Sequence, residues 1–233
     1  RLEIVQEGMP TAEEARALQR VYIVACGTAY HAGVVGKYAI EQLTGLSVTV
    51  DIASEYRYRP QKLRKDDLFL VISQSGETAD TLAALREAKR QGAKVAAITN
   101  VVGSSVAREA DRVLYTWAGP EIAVASTKAY ITQLLLLVLL GIDLAVKRGE
   151  MDEAQARDLL REMQALPEKA QKTVETHERM QRFAARHFDV RHIFYIGRGM
   201  DWALAMEASL KLKEISYIFS EAYAAGELKH GTI

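Results

Sequence analysis

The fold turns on one stretch, Leu68-Phe69-Leu70-Val71-Ile72-Ser73-Gln74-Ser75-Gly76-Glu77-Thr78. Its first five residues are wholly apolar and partly β-branched, the pattern of a strand buried on both faces. From Thr78 to Gln91 the pattern changes to a helical one, with apolar residues at Ala79, Leu82, Ala83 and Leu85 and charges between them. A strand that passes into a helix through a short polar loop is where a parallel α/β sheet offers its strand ends to a ligand. The start of a helix has unpaired N–H groups and a partial positive charge, so it holds a phosphate dianion without a lysine. Ser73, Ser75 and Thr78 add hydroxyls, Gln74 adds an amide, and Gly76 lets the backbone approach closely. The plainer reading of the same residues is helix capping, which Ser and Thr commonly supply. Four donors within six residues at a strand end favour a ligand.

Working outward, apolar runs at Val21–Ala25, Ser47–Ile52, Leu68–Ser73 and Lys94–Thr99, with a fifth at Arg112–Thr116, alternate with helical segments at Tyr30–Leu43, Thr78–Gln91 and Ser126–Lys147. That alternation predicts a three-layer αβα domain with a parallel sheet over residues 1–147. From Arg148 to about His187 the chain becomes strongly charged, and two connecting helices are expected. Residues 148–233 then comprise this connection and the start of a second, similar unit. It has a strand at His192–Ile196, a turn at Gly197-Arg198-Gly199 and a helix at Asp201–Ser216 capped by Asp201. The second unit parallels the first, with Tyr22–Gly27 matching Phe194–Gly197 and Ala53-Ser-Glu55 matching Phe219-Ser-Glu221. One strand and one helix do not make a sheet with two covered faces, so the second unit is expected to be incomplete.

Composition narrows the chemistry. Lys plus Arg and Asp plus Glu each number 30, so no net charge draws the chain to nucleic acid or to an anionic membrane. The single cysteine, Cys26, forms no internal disulfide and points to a reducing, cytoplasmic setting; as a small side chain it is expected to be buried rather than nucleophilic. The longest apolar stretch, Ala129–Ile142, falls short of the roughly 20 residues a bilayer span needs and predicts a core helix. Residues 1–7 show neither the basic start nor the apolar core of a secretory signal. No G-x-x-x-x-G-K-[ST] string supports a nucleotide P-loop, and Gly197-Arg198-Gly199 falls short of a dinucleotide fingerprint. His31, His177, His187 and His192 show no metal-binding spacing, and no metal or other cofactor is expected. Tyr56, Tyr58 and the neighbouring arginines are expected to pack a loop.

Two more loops that lie after strands are candidates to converge on the same crevice: Cys26-Gly27-Thr28, and Val124-Ala125-Ser126-Thr127 ahead of the long helix. Thr28 and Ser126 are candidates to bond ligand hydroxyls, with capping again the rival for Ser126. Six strings in order resemble the sugar isomerase (SIS) fold, and within it the glucosamine-6-phosphate synthase family. They are Ala25-Cys-Gly-Thr28, Ala53-Ser-Glu-Tyr-Arg-Tyr58, Ser73-Gln-Ser-Gly-Glu-Thr-Ala-Asp80, Val124-Ala-Ser-Thr-Lys128, Leu210-Lys-Leu-Lys-Glu-Ile-Ser216 and Glu221-Ala-Tyr-Ala-Ala-Gly-Glu-Leu-Lys-His-Gly231.

The resemblance implies two SIS subdomains and phosphate binding by Ser73, Gln74, Ser75 and Thr78, with Thr28, Val124 and Ser126 on the sugar. It also implies catalytic roles for Lys211, Glu214 and His230, the histidine reaching the site of a neighbouring subunit in a homodimer. The implied ligands are fructose 6-phosphate, glucose 6-phosphate or glucosamine 6-phosphate. The family's glutaminase domain, and the tail whose lysine forms a Schiff base with the sugar, have no counterpart among these 233 residues. On chemistry alone, Glu214 suits proton transfer between sugar carbons. Lys211, three residues earlier on the same helix face, suits charge stabilisation, and His230 suits movement of the ring-opening proton. A solvated ion pair and an exposed histidine are the plain alternatives. Two other functions share the fold: a non-catalytic sugar-phosphate sensor and a related phosphosugar isomerase or deglycase.

Overall fold

The computed structural model describes residue 4, residues 7–59 and residues 62–231, so most of the opening stretch read for a secretory signal lies outside the described residues. Five strands build the main sheet: β1 (Arg20–Ala25), β2 (Ser47–Ile52), β3 (Asp67–Ser73), β4 (Lys94–Thr99) and β5 (Arg112–Tyr115). Every pairing among them is parallel, in the order β2-β1-β3-β4-β5. The chain winds outward from β1 to β2, crosses back to β3 and continues the other way. In such a sheet the strand order reverses between β1 and β3, and there the loops at the strand ends part to leave a crevice. Ala25 pairs with Ile72 in register, so the loops after these two strands leave the sheet side by side.

Strand residues divide by alternation between two helical layers. Val21, Ile23, Leu68, Leu70, Ile72 and Ile98 face a layer of α1 (Ala12–Ala17), α2 (Gly27–Thr44) and α6 (Lys128–Arg148). Tyr22, Val24, Phe69, Val71, Val95 and Ala97 face α3 (Ala53–Tyr56), α4 (Ala79–Arg90) and α5 (Ser105–Glu109). All seven residues of β3 are buried. Burying a side chain such as Ile23 or Leu70 contributes about 1.5–3 kcal/mol, so a one-residue slip, which would exchange the two faces, is strongly disfavoured. On α4 the buried residues are Thr81, Leu82, Ala84, Leu85 and Ala88; Ala79 is exposed and Ala83 half-buried, so the inward face is turned slightly from the one expected.

Among the described residues α6 is the one helix long and apolar enough to cross a membrane, yet Leu136, Leu137, Leu140 and Leu144 on it pack into the sheet's core. The charged connection holds three helices rather than two: α7 (Glu153–Gln164), α8 (Leu166–Val174) and α9 (His177–Arg186). Pro167 in the first turn of α8 separates it from α7, since proline lacks the N–H a continuous helix needs.

Beyond it, β6 (His192–Gly197), α10 (Met200–Ser216) and β7 (Phe219–Ala224) form a parallel strand–helix–strand unit. This repeats β1-α2-β2, but the string alignment needs correcting. Ala53-Ser-Glu55 lies in helix α3, whereas Phe219-Ser-Glu221 opens strand β7. The second unit therefore has two strands, not one. Its helix begins at Met200 with Gly199 as the cap residue, so Asp201 sits inside the first turn instead of capping it. Helix α10 packs on α2 through Ala203 against Val34 and Val35, with Tyr30, Tyr38 and Met206 around them.

Candidate functional site

At the switch point between β1 and β3 a cavity of about 320 Å³ opens, lined by Cys26, Thr28, Ser73, Gln74, Ser75, Thr78, Val124 and Ser126. The seven residues named from sequence as ligand contacts thus border one space. Cys26, expected to be buried, is partly buried against the core and reaches the cavity wall. The cavity borders the start of three helices. Cys26 is the N-cap residue of α2 and Thr78 that of α4, while Ser126 precedes Thr127, the N-cap of α6. None of the three cap side chains makes a capping hydrogen bond, whereas Thr11, Ser104 and Asp152 do so for α1, α5 and α7. Each helix start carries roughly half a positive charge, so their convergence supplies cationic character in a cavity lined by no Lys or Arg.

The loop is held in its shape by short local bonds. Ser73 Oγ lies 2.9 Å from Thr78 Oγ1 and accepts the Gly76 N–H at 3.0 Å, and Ser75 Oγ accepts the Glu77 N–H at 3.2 Å. Thr78 thus occupies the cap position without capping, and its hydroxyl is turned into the loop. Behind it, the Gly76 carbonyl accepts the Val106 N–H at 2.9 Å and Glu77 Oε1 accepts the Ser105 N–H at 2.8 Å. That bond from Ser105 is the chief reason the Glu77 carboxyl titrates below its ordinary range. Gly76 has φ +68°, and a Cβ there would lie 2.0 Å from Ser104 Oγ. Glycine is required on both counts, backbone angle and space.

Glu121, unnamed from sequence, also lines the cavity. Its carboxylate accepts the Ala129 N–H at 3.2 Å and the Ser126 hydroxyl at 3.4 Å, so it caps α6 from a distance and engages Ser126. Val124 stands on the rim, 91% exposed. A larger cavity of about 940 Å³ lies at the opposite edge of the sheet beside Asp67, Lys94 and Arg112. It adjoins Lys89 and Gly92 at the C-terminal end of α4, where the helix dipole is negative, which makes it the poorer anion site.

A second cluster adjoins the first cavity through Thr28. Thr28 Oγ1 donates to Glu207 Oε1 at 3.0 Å and lies 3.1 Å from Lys211 Nζ, which donates to it. Glu207, 5% exposed, also holds His31 Nδ1 at 2.7 Å and pairs with Lys211 at 3.4 Å, and Lys211 reaches Glu214 at 2.6 Å. Lys211 and Glu214 therefore form more than a solvated pair: the ammonium lies between two carboxylates, with side chains only 18% and 28% exposed. Neither Glu207 nor His31 is among the site residues expected from the sequence. The spacing Glu207, Lys211, Glu214, four and three residues apart, marks one face of α10 and is the signal that finds the glutamate. His230 is exposed in the turn after β7, its N–H bonded to Glu227 O at 2.9 Å, and does not line the cavity. Tyr56 packs against Tyr22 and Phe69 as expected of a loop anchor, but Tyr58 is 79% exposed.

The SIS domain model matches residues 16–142 and 188–233, well over half of the chain. The chain belongs to the SIS-domain family. This SIS chain is 61% identical over 223 residues to a glutamine–fructose-6-phosphate aminotransferase (isomerizing) of Caldanaerobacter subterraneus subsp. tengcongensis, covering 96% of the chain and 37% of that relative. It is 60% identical to the enzyme of the same name from Clostridium tetani, covering 95% and 36%. Among solved structures it superposes, with a TM-score of 0.92 and 40% identity, on the C-terminal domain of glucosamine-fructose-6-phosphate aminotransferase from Francisella tularensis, covering 95% of this chain and 63% of that one. The SIS chain thus spans little more than a third of the length of the curated relatives it matches.

Proposed function

We propose that this chain is the isomerase region of a glutamine–fructose-6-phosphate aminotransferase. The observation that carries this reading is the cavity at the switch point, lined by no Lys or Arg, where seven hydroxyl, amide and backbone-bearing residues meet three helix starts whose N-cap side chains make no capping bond. Ser73, Gln74, Ser75 and Thr78 hold the phosphate ester, and Thr28, Val124 and Ser126 face the sugar. Making glucosamine 6-phosphate from fructose 6-phosphate requires ring opening, replacement of the C2 carbonyl oxygen by nitrogen from ammonia with loss of water, and transfer of a proton from C1 to C2. Glu214 takes the proton from C1 and returns it at C2. Lys211, 2.6 Å from that carboxylate, stabilises the negative charge that develops on the substrate oxygen. His230, from the neighbouring subunit of a homodimer, moves the ring-opening proton. Ammonia comes from a glutaminase domain of the complete polypeptide, and the reaction takes place in the cytoplasm without metal or organic cofactor.

Calorimetric titration of fructose 6-phosphate and glucose 6-phosphate into wild type and Ser75→Ala tests the binding half. Loss of one hydroxyl donor to the phosphate is expected to weaken binding about tenfold, and equal affinities would remove the loop assignment. For the chemistry, mass-spectrometric detection of glucosamine 6-phosphate made by the full-length polypeptide with added ammonia should fall at least a hundredfold in Glu214→Gln. Sugar-phosphate binding with no turnover in wild type would instead identify a non-catalytic sensor.

A further inference from the structure

Deep in the same cavity lies a side chain that the reading above leaves unused. Gln133 is on α6, is 1% exposed and lines the space between the phosphate loop and Ser126. Its Oε1 atom is buried and has no hydrogen-bond partner among the described residues. The other inward positions of this helix, Leu136, Leu137, Leu140 and Leu144, are aliphatic, so packing alone would be served by leucine or methionine at position 133. A buried carbonyl oxygen without a donor destabilises the unliganded fold, and native interiors nearly always pair such groups. The missing donor is therefore expected from whatever fills the cavity.

An amide oxygen repels a phosphate dianion, which offers only acceptors, and welcomes an O–H group. From this geometry we infer that Gln133 Oε1 accepts a hydrogen bond from a hydroxyl of the bound sugar phosphate, making Gln133 a specificity-determining residue that separates a polyhydroxylated phosphate ester from phosphate alone. The inference rests on the sugar-phosphate reading of the cavity and adds to it which end of the ligand reaches α6.

The test is calorimetry on wild type, Gln133→Leu and Gln133→Met with two probes, glucose 6-phosphate and inorganic phosphate, together with thermal unfolding of each unliganded protein. Both variants should lose about tenfold or more in glucose 6-phosphate affinity, the worth of one well-placed hydrogen bond, while inorganic phosphate binding changes less than twofold. The unliganded variants should melt at or above the wild-type temperature, because an unpaired polar atom has been removed. Among monodeoxy glucose 6-phosphates, the one lacking the partner hydroxyl should bind wild type and Gln133→Met equally. Unchanged glucose 6-phosphate affinity in both variants, or equal losses for sugar phosphate and phosphate, would overturn the assignment. So would a series in which every monodeoxy sugar still loses affinity on substitution. Wild type that binds phosphate but no sugar phosphate would bring down the cavity reading itself, a result distinct from those three.

Discussion

Glu207→Gln removes one negative charge from the point where α2 and α10 are joined, and its cost can be worked from the geometry. The carboxylate receives Thr28 Oγ1 at 3.0 Å, holds His31 Nδ1 at 2.7 Å and sits 3.4 Å from Lys211 Nζ. With an effective dielectric constant of about 20, the last pair alone contributes about 5 kcal/mol of Coulomb attraction. Desolvating the buried carboxylate offsets several kcal/mol of this. Glutamine keeps the shape and some of the hydrogen bonds, and Lys211 keeps Glu214 at 2.6 Å, which leaves an expected net loss of about 2–3 kcal/mol. For a chain of this size that corresponds to a fall in melting temperature of roughly 4–12 °C. Urea unfolding of wild type, Glu207→Gln, Lys211→Met and the double variant gives the pair's coupling, expected at about 1–2 kcal/mol. A single variant within about 0.5 kcal/mol of wild type, with additive effects in the double variant, would refute the claim that this carboxylate ties the two units together.

Gly76→Ala should destabilise by about 2–4 kcal/mol, since alanine at φ +68° costs about 1–2 kcal/mol and its Cβ would meet Ser104 at 2.0 Å. Sugar-phosphate affinity should drop with it, and Ser104→Gly should recover part of both in paired urea and calorimetric titrations; a Gly76→Ala protein with wild-type stability and affinity would show that the loop is not set by this contact. Glu14 closes a capping box with Thr11 and meets Arg112 at 2.6 Å and Lys94 at 3.0 Å. The Thr11 N–H is the largest cause that pulls its pKa from 4.5 down to about 2, with Lys94 and Arg112 contributing. Because the folded-state pKa is depressed, this stabilisation is complete above about pH 4.5 and is lost as the pH falls through about 2. Glu14→Gln should therefore cost about 1 kcal/mol at pH 7, a modest figure because glutamine can also complete a capping box, and close to nothing at pH 2. A difference in denaturation midpoint that is the same at both pH values would contradict it.

How much was legible in the sequence follows from what a local pattern records. The strand runs located the five strands to within a residue or two, most clearly in β3, where burial on both faces leaves no position free to be polar. The loop Ser73–Thr78 announced itself because donors and a glycine crowd one strand end. The cap of α10 and the face of α4 were misplaced because both depend on where the helix axis settles against its neighbours, which periodicity leaves open by one or two positions.

Tertiary structure alone decided which loops share an edge. The order β2-β1-β3-β4-β5 brings three helix starts to one cavity, although Cys26 and Thr127 lie about a hundred residues apart. It also joined Thr28 to Glu207 across 179 positions and Lys211 to Thr28 across 183. A charge inside a helix looks the same in sequence whether it faces water or a partner. Glu207 became a buried hub only when α10 docked on α2, and Gln133 became an unpaired acceptor only when α6 closed one wall of the cavity. Residue type and spacing determine what each side chain is able to donate or accept; the packing of distant elements determines which group stands opposite it.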